Sequence, residues 1–420
     1  MSSRAFRSLQ VRDYRLFLAG QLISVSGTAM QQVAQDWLVA SLTGRALSVA
    51  LASVLQLAPV LALAPLGGAL ADRVDRRELL VATQAVLALL ALALATLALF
   101  HAIHLWTVYL LAGLLGCATA FDMPARQALV GDLVGPERVA GAVALNHGTL
   151  SAARVVGPAV AAGLVGALGV GAAFLVNGLS YLAVIAGLRR MDPAVGPVDR
   201  PRAPVRASAI ATPPLRRAIL LMGSAAAVGA NLQVVLPLLV RSTFHGGAAL
   251  FALLMATLAG GSVLGALLAA AAAWPGRGLQ VAAAAAFGAC TALIGVAGAP
   301  AVAAGALLLA GVACGAALSL TNGFVQATVA PDARGRVLAL NGMAYRVALL
   351  AGALVLGFLA DRVGAPATLR LAGVAMLVAT LALSPCCAAR RRSRSPSAAG
   401  RGRPSDRGGG RRRGRRASAA

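Results

Sequence analysis

The chain has 420 residues, of which 59% are hydrophobic and 12% charged, with a mean hydropathy of +0.81. A soluble protein of this length could not bury so much apolar surface in its cores, which excludes a soluble enzyme or binding domain. The net charge of +24 comes from 37 basic residues, all of them arginine. These arginines cluster between apolar runs and in the last 31 residues, so their placement indicates membrane orientation and not a nucleic-acid interface.

Apolar runs recur along the chain at about 20 residues each, the length that a helix needs to cross a hydrocarbon core. Only helices satisfy every backbone polar group in so many lipid-exposed crossings, so the sequence predicts an all-α membrane protein. Twelve spans are predicted, at residues 15–42, 46–70, 78–100, 105–123, 139–167, 170–188, 215–240, 248–273, 279–298, 300–324, 337–361 and 366–385.

The arginines predict how these spans are oriented. If both termini are cytoplasmic, the cytoplasmic segments hold 31 arginines and the outer loops hold four, which are Arg45, Arg241, Arg362 and Arg370. Cytoplasmic loops carry the excess of positive charge in membrane proteins, so this split predicts cytoplasmic termini. An Ala- and Gly-rich chain with arginine and no lysine is typical of a GC-rich bacterial genome. We therefore expect a multi-pass protein of the bacterial inner membrane.

A polar segment rich in proline and arginine, 189–214, divides the spans into two predicted six-helix bundles, 15–188 and 215–385. Residues 1–14 form the predicted cytoplasmic N-terminus, and 386–420 form an arginine-rich tail that is predicted to be disordered. A repeat at a spacing of 195 residues supports the division, and it pairs Pro136 with Pro331, 144–146 with 339–341, and Gly157 with Gly352. Duplicated bundles of this kind are the plan of many secondary transporters, which bind substrate between the halves.

The most specific motif follows span two and comprises Gly68, Asp72, Arg73, Arg76 and Arg77. Glycine lets a neighbouring helix approach closely, and an acid at the helix end can cap another helix or pair with an arginine. An ordinary positive loop explains the arginines but not the acid. The alternative of a coincidental match remains open at this point.

This pattern resembles the signature loop of major facilitator transporters. Further stretches resemble the branch of that superfamily that contains the enterobactin exporter and macrolide efflux proteins, and they lie at 6–9, 35–38, 71–73, 120–127 and 157–158. The resemblance covers about residues 4–385 and implies twelve helices in two pseudo-symmetric bundles, alternating access and export. Two departures stand out. Asp75 occupies a position where the wider family often has glycine, and 109–116 lacks the arginine that many proton-coupled relatives carry in helix four.

Gly157 and Pro158 in span five resemble the glycine–proline motif of facilitator antiporters. Proline removes a backbone hydrogen bond and small residues allow close packing, so this segment is a candidate hinge. Plain helix packing in a glycine-rich protein is an equally good interpretation.

Polar residues predict a cavity between the halves. Span one carries a polar stripe at helical spacing, and spans four, seven and ten, which line the cavity in the facilitator fold, each add polar residues. The alternative for any one of them is an interhelical hydrogen bond. The candidate cavity residues are Ser24, Thr28, Gln31, Gln32, Gln35, Thr119, Asn231, Gln233, Ser319 and Asn322.

Charged residues within the spans are candidates for proton coupling, because they are costly in lipid and normally face a partner or a wet cavity. Asp36 is the leading candidate, followed by Asp122 and Arg154. Asp36 could instead pair with an arginine or cap the outer end of its helix. Arg154 and Arg346 could instead be held in internal ion pairs, with Asp122 or Asp36 as partners for Arg154.

Together these features predict a proton-coupled exporter of small amphiphilic organic molecules, such as drugs, siderophores or secondary metabolites. The sequence contains no phosphate-binding loop with lysine, serine-nucleophile motif or metal-ligand spacing, so no enzymatic activity, catalytic residue, cofactor or metal is expected. The expected partners are the substrate, protons and membrane lipid, and a monomer is expected. Alternatives are an importer or uniporter of the same fold, or a membrane-anchored binding or scaffold protein acting through its tail. Nucleic-acid binding is not expected, because the tail has no aromatic residues.

Overall fold

The computed structural model describes residues 7–135, 137–191, 213–229, 231–271, 277–329 and 331–384. The part up to Leu383 forms one compact unit. Most of the predicted linker and all of the predicted tail lie outside the described residues.

The described chain is helical throughout and begins with a short 3-10 helix, Arg7–Gln10. The first half contains α1 (Arg12–Thr43), α2 (Ala46–Arg73), α3 (Arg76–Leu99), α4 (Leu105–Val134), α5 (Val139–Leu168) and α6 (Val170–Arg189). The second half contains α7a (Pro213–Gly229), α7b (Leu232–Ser242), α8 (Ala248–Ala271), α9 (Arg277–Ile294), α10 (Pro300–Thr328), α11 (Pro331–Val363) and α12 (Ala365–Leu383). The all-helical prediction is therefore confirmed.

The helices are long and apolar, as a membrane protein requires. Ten segments of the described chain qualify as membrane spans by length and hydropathy, with α7a and α7b counted together, and the apolar part of α9 is shorter. Helix α1 has 32 residues and falls outside that set, because its polar stripe lowers its hydropathy. With α1 and α9 included, the count is consistent with twelve crossings.

The packing repeats after six helices. Helix α2 packs on α4 as α8 packs on α10, and α3 packs on α6 as α9 packs on α12. Helix α1 packs on α5 as α7a packs on α11. The two halves meet mainly where α2 packs on α11 and where α5 packs on α8. The same pseudo-symmetry relates these two contacts, because it matches α2 with α8 and α5 with α11. A space therefore remains between the halves where the other helices do not meet.

The repeat in the sequence has a packing explanation. Gly157 lies where α5 crosses α1, and a Cβ built there would come within 2.6 Å of both the Ala29 Cβ and the Ser26 carbonyl. Gly352, its counterpart in α11, meets the Ala227 backbone of α7a in the same way. The missing side chain lets each pair of helices approach closely, which supports helix packing in membranes.

Two elements differ most from the predicted spans. The fourth span was predicted to end at 123, but α4 continues through Pro124 to Val134. Pro124 cannot donate to the carbonyl of Ala120, and α2 packs against that carbonyl through Gly67. The seventh span was predicted as one helix, but it is two, because α7a ends at Gly229 and α7b begins at Leu232.

We expect Gly157→Ala to destabilise the bundle, because its Cβ would overlap with α1 and overpacking of a tight interface costs about 1–3 kcal/mol. Gly163→Ala is the matched control in the same helix, since no other atom lies within 4 Å of a Cβ there. Thermal unfolding of the purified protein in detergent measures both variants. Equal midpoints for the two would contradict the packing role of Gly157.

Candidate functional site

A cavity of about 420 Å³ lies between the two halves. Helices α1, α2, α4 and α5 line it from the first half, and α7b and α11, with Asn231 before α7b, line it from the second. Its volume is in the range of about 300–1,000 Å³ that is usual for small-molecule sites. The lining residues are Thr28, Gln32, Ser53, Val54, Gln56, Leu57, Val60, Thr119, Met123, Arg154, Asn231, Gln233, Arg346, Leu349, Leu350 and Ala353.

Half of the candidate cavity residues line this space: Thr28, Gln32, Thr119, Asn231 and Gln233. The amide of Asn231 donates to the backbone carbonyls of Ala227 and Leu349, each at 2.9 Å, which fixes its side chain between α7a and α11. The Thr28 hydroxyl lies 2.9 Å from that of Tyr181 on α6. These side chains are therefore positioned by hydrogen bonds to neighbouring helices.

The other candidates lie elsewhere in the described structure. Ser24, Gln31 and Gln35 are buried on α1, and Gln31 accepts a hydrogen bond of 2.6 Å from Asn177 on α6. Ser319 and Asn322 on α10 do not line the cavity, and Asn322 accepts a hydrogen bond of 3.2 Å from Asn341. The polar stripe of α1 therefore has two parts. Thr28 and Gln32 line the cavity, and Gln31 is hydrogen-bonded to α6.

Arg154 and Arg346 both line the cavity, one from each half. Among the described residues, no carboxylate lies within ion-pair distance of either guanidinium. The Nη2 of Arg346 lies 3.8 Å from the Met123 sulfur, a weak acceptor. Both guanidinium groups are close enough to Tyr345 to interact with it electrostatically. The ion pairs considered for Arg154 with Asp122 or Asp36 are not formed in this structure.

Asp36 is enclosed, with only 1% of its surface exposed. Its Oδ1 accepts a hydrogen bond of 3.0 Å from Gln32, while its Oδ2 has no hydrogen-bond partner among the described residues. Gln32 also lines the cavity, so it connects the carboxyl group to the space between the halves. Within the described part of the chain, Asp36 has no arginine partner and caps no helix.

Asp122 lies in a polar cluster within the first half. Its Oδ1 accepts from Thr83 at 3.1 Å and Gln84 at 2.7 Å, and its Oδ2 pairs with the Arg126 guanidinium at 2.8 Å. Arg126 also donates to Gln21 on α1. The cluster therefore ties α1, α3 and α4 together with every charge compensated. The sequence places Arg126 in a cytoplasmic loop, because the fourth span is predicted to end at 123, whereas the helix continues to Val134.

The loop after α2 is held by its charged residues. Asp75 caps α3 by accepting from the backbone N–H groups of Arg77 at 2.8 Å and Glu78 at 3.3 Å. This capping explains an acid where the resembling family often has glycine, since a carboxylate satisfies free N–H groups at a helix start. Asp72 and Arg73 are exposed in the last turn of α2, and Gly68 is half-buried there.

The two remaining arginines of the motif join this loop to other helices. Arg76 pairs with Asp132 near the end of α4 and donates to the Ala71 carbonyl at 3.2 Å. Arg77 donates to the carbonyls of Leu188 at 2.7 Å and Arg189 at 2.8 Å, which lie at the C-terminus of α6. A cation at a helix C-terminus is favoured by the helix dipole. The motif therefore fastens four helices of the first half, α2, α3, α4 and α6, at one end.

Contacts between the halves cluster at the opposite end, which we call the Arg45 end: the loops α1–α2, α5–α6, α7b–α8 and α11–α12. Asp361 of α11 accepts from the backbone N–H groups of Ala46 at 2.6 Å and Leu47 at 3.4 Å, and it lies 3.5 Å from Arg45. A residue of the second half thus caps α2 of the first half.

Three further contacts join the halves at the Arg45 end. Arg241 of α7b donates to the Ala40 carbonyl in the last turn of α1. The rings of Trp37 and Phe251 stack with centroids 6.0 Å apart. A Cβ at Gly166 would come within 2.9 Å of the Ala249 Cβ, so α5 and α8 also pack tightly here.

Asp361 was missed by the sequence analysis, although a signal was present. The pentapeptide Leu-Ala-Asp-Arg-Val occurs at 70–74 and again at 359–363. The first copy ends α2 and the second ends α11, at opposite ends of the molecule. A search for short exact repeats would have found the second acid at a helix end.

Comparison with known proteins agrees with this architecture. Residues 3–399 match the transmembrane secretion effector family. The chain belongs to this family of major facilitator transporters. Its members are transporters and not enzymes.

Sequence relatives match only part of the chain. Macrolide efflux protein A of Streptococcus pyogenes is 27% identical over 157 residues, which are 37% of this chain and 38% of that protein. The staphyloferrin A transporter of Staphylococcus aureus is 26% identical over 172 residues, which are 41% of this chain and 43% of that protein. The matches therefore span about two fifths of each relative.

Solved structures share the fold at low sequence identity. A bacterial homologue of the human lysosomal transporter Spinster, in an inward-facing and occupied conformation, superposes with a TM-score of 0.70 at 16% identity, covering 94% of this chain and 99% of that chain. An inward-facing bacterial homologue of the iron transporter ferroportin gives a TM-score of 0.68 at 16% identity, covering 89% and 99%. The fold class predicted from the sequence is thus confirmed.

We expect Asp361→Asn to loosen the Arg45 end, because an amide oxygen caps a helix less strongly than a carboxylate and no longer pairs with Arg45. Hydrogen–deuterium exchange of the backbone around 46–50 should speed up several-fold. Asp132→Asn is the matched control, since it breaks an ion pair within the first half. Unchanged exchange at 46–50 in Asp361→Asn would exclude a capping role.

Proposed function

We propose that this transporter is a proton-coupled exporter of small amphiphilic organic molecules that works by alternating access. The observation that carries the proposal is the cavity, since it lies at the boundary of the two halves and takes its lining from both. A site shared by two bundles changes its exposure when one bundle moves against the other.

The substrate class is supported by the lining and by the relatives. Apolar side chains of α2 and α11 alternate with amides and hydroxyls around the cavity, which suits a molecule with both apolar and polar parts. The two relatives above are a macrolide efflux protein and a staphyloferrin A transporter. The efflux protein among them supports export, while transport assays decide between an exporter and an importer or uniporter.

Alternating access is supported by the contacts between the halves. The Asp361 cap on α2 and the Arg241 contact to α1 hold the Arg45 end together. We propose that these contacts form in one conformation and break in the other, so that the Arg45 end is a gate. If the predicted orientation holds, this gate faces outward. The segment at Gly157 and Pro158 remains our candidate hinge.

We propose that the loop after α2 is the opposite gate, with Gly68, Asp72, Arg73, Arg76 and Arg77 as its elements. Arg76 and Arg77 anchor this loop to α4 and α6, so the first half can move as one body. Asp72 lies in the exposed last turn of α2, where its charge can bias the two conformations differently.

We propose Asp36 as the proton-binding residue. An ionised carboxylate there would be enclosed with one hydrogen bond, whereas a protonated acid carries no charge to bury. Gln32 contacts both Asp36 and the cavity, so a substrate that moves Gln32 also changes the surroundings of the carboxyl. Asp122 is the second candidate, although Arg126 already compensates its charge.

Efflux assays test the proposal directly. The full chain is expressed in an efflux-deficient bacterium, and a compound panel is screened for resistance and for lowered accumulation, with and without a protonophore. Proton-coupled export predicts lowered accumulation that the protonophore abolishes. Accumulation that rises on expression would instead indicate import.

We expect Asp36→Asn to abolish uphill export of a compound identified in that screen, because the amide cannot carry a proton. Downhill exchange in proteoliposomes should survive, because the cavity lining is intact. Glu137→Gln, which changes an exposed carboxylate in the loop between α4 and α5, serves as the control. Should Asp36→Asn still concentrate the compound, the coupling role passes to Asp122.

Deletion of 390–420 should leave transport and topology unchanged. The remaining predicted cytoplasmic segments still hold 19 arginines against four outside, which preserves the charge bias that orients the helices. Cysteine accessibility at both membrane faces reports the topology, and efflux reports the function. A truncated protein that inserts correctly but transports nothing would favour a role for the tail as a binding or scaffold element.

A further inference from the structure

The charge of the cavity lining is entirely positive. Arg154 and Arg346 contribute two guanidinium groups, and no lining residue among those described is acidic. Arginine stays protonated in proteins, so both groups carry a full charge. Since neither is neutralised by a described carboxylate, the cavity presents two cations inside a membrane-spanning bundle.

Such an arrangement is expensive unless water or a ligand compensates it. A carboxylate is well matched to a guanidinium, because two oxygens accept two parallel N–H donors. The halves supply one arginine each, so an anion between them would contact both bundles at once. A cationic ligand would instead be repelled by two like charges.

We propose that the cavity selects amphiphilic anions, with a carboxylate bound by Arg154 and Arg346 and an apolar body against α2 and α11. The inference rests on the proposed transport function and narrows its substrate class. The apolar surface for the body is formed by Val54, Leu57, Val60, Leu349 and Leu350. The amide of Gln32 adds a polar neighbour that also contacts Asp36, so the anion site adjoins the proposed proton site.

Binding of three xanthene dyes tests the charge preference. Fluorescein carries a free carboxylate, its methyl ester lacks that carboxylate, and rhodamine 123 has a similar tricyclic body with a positive charge. Fluorescence anisotropy is measured with the full chain in nanodiscs of phosphatidylcholine, which adds no net lipid charge. We expect fluorescein to bind more tightly than its ester and much more tightly than rhodamine 123.

The variants test the two arginines. Arg154→Gln and Arg346→Gln should each weaken fluorescein binding by about 10- to 100-fold, the range for a lost hydrogen bond to a charged group. Rhodamine 123 binding should stay the same or strengthen. Arg190→Gln removes an exposed arginine at the end of α6 and should change neither. Arg154→Lys and Arg346→Lys keep the charge and should retain part of the affinity.

Several results would overturn the proposal. These are absence of fluorescein binding by the wild-type chain, binding of rhodamine 123 at least as tight, or fluorescein binding that folded Gln variants leave unchanged. Should the Gln variants not fold, the Lys variants and the comparison of fluorescein with its ester on the wild-type chain decide. The assay needs no transport, so arginine-dependent binding without export would refute the proposed function alone. Export of cationic compounds only would refute the anion site alone.

Discussion

The cost of a charge inside a membrane-spanning bundle is the constraint on which this structure depends. Each ionised group within the helices needs a partner or a wet space. Asp122 and Arg126 meet this requirement by pairing with each other inside the first half. Arg154 and Arg346 meet it differently, by facing the space between the halves. The cavity therefore lies where these two arginines, which have no carboxylate partner among the described residues, are placed.

Close packing elsewhere is what leaves that space open. Small residues bring α2 onto α4, α5 onto α1 and α11 onto α7a until backbones touch, as Gly157 and Gly352 show. The halves themselves meet only along α2–α11 and α5–α8 among the main helix contacts. The cavity lies between these two helix contacts. Polar side chains that would be costly in lipid line it.

The sequence predicted most of the fold, because apolar length and helical periodicity are local properties. Twelve spans and the polar segment between the halves are visible in windows of a few tens of residues, and the repeat is visible when two such windows, 195 residues apart, are compared. The end of α4 was missed, because Pro124 and Arg126 look like a loop until Gly67 and Asp122 are seen beside them. The break between α7a and α7b had a local signal in Gly229 and Asn231, but the apolar residues on both sides of it favoured one continuous span.

The candidate site was harder to predict, because it depends on which side of a helix faces which neighbour. The stripe on α1 was visible, yet only Asn177 and Tyr181 of α6 determine that Gln31 faces protein while Thr28 and Gln32 reach the cavity. Asp36 and Asp122 were both named as charges within spans. Their surroundings differ because of residues far away in the sequence. Thr83 and Gln84 donate to Asp122, whereas no distant residue of the described chain donates to Asp36.

The contact of Arg77 with the end of α6 has a consequence for how the halves are tethered. Leu188 and Arg189 are the last residues before the chain leaves the first bundle for the second. Arg77 donates to their carbonyls and so holds the end of α6 against the loop between α2 and α3. The chain therefore leaves the first bundle from a fixed position. An inserted reporter domain would be insulated from the first bundle when placed after 191, whereas a cut or insertion before 188 would release the loop along with the connection.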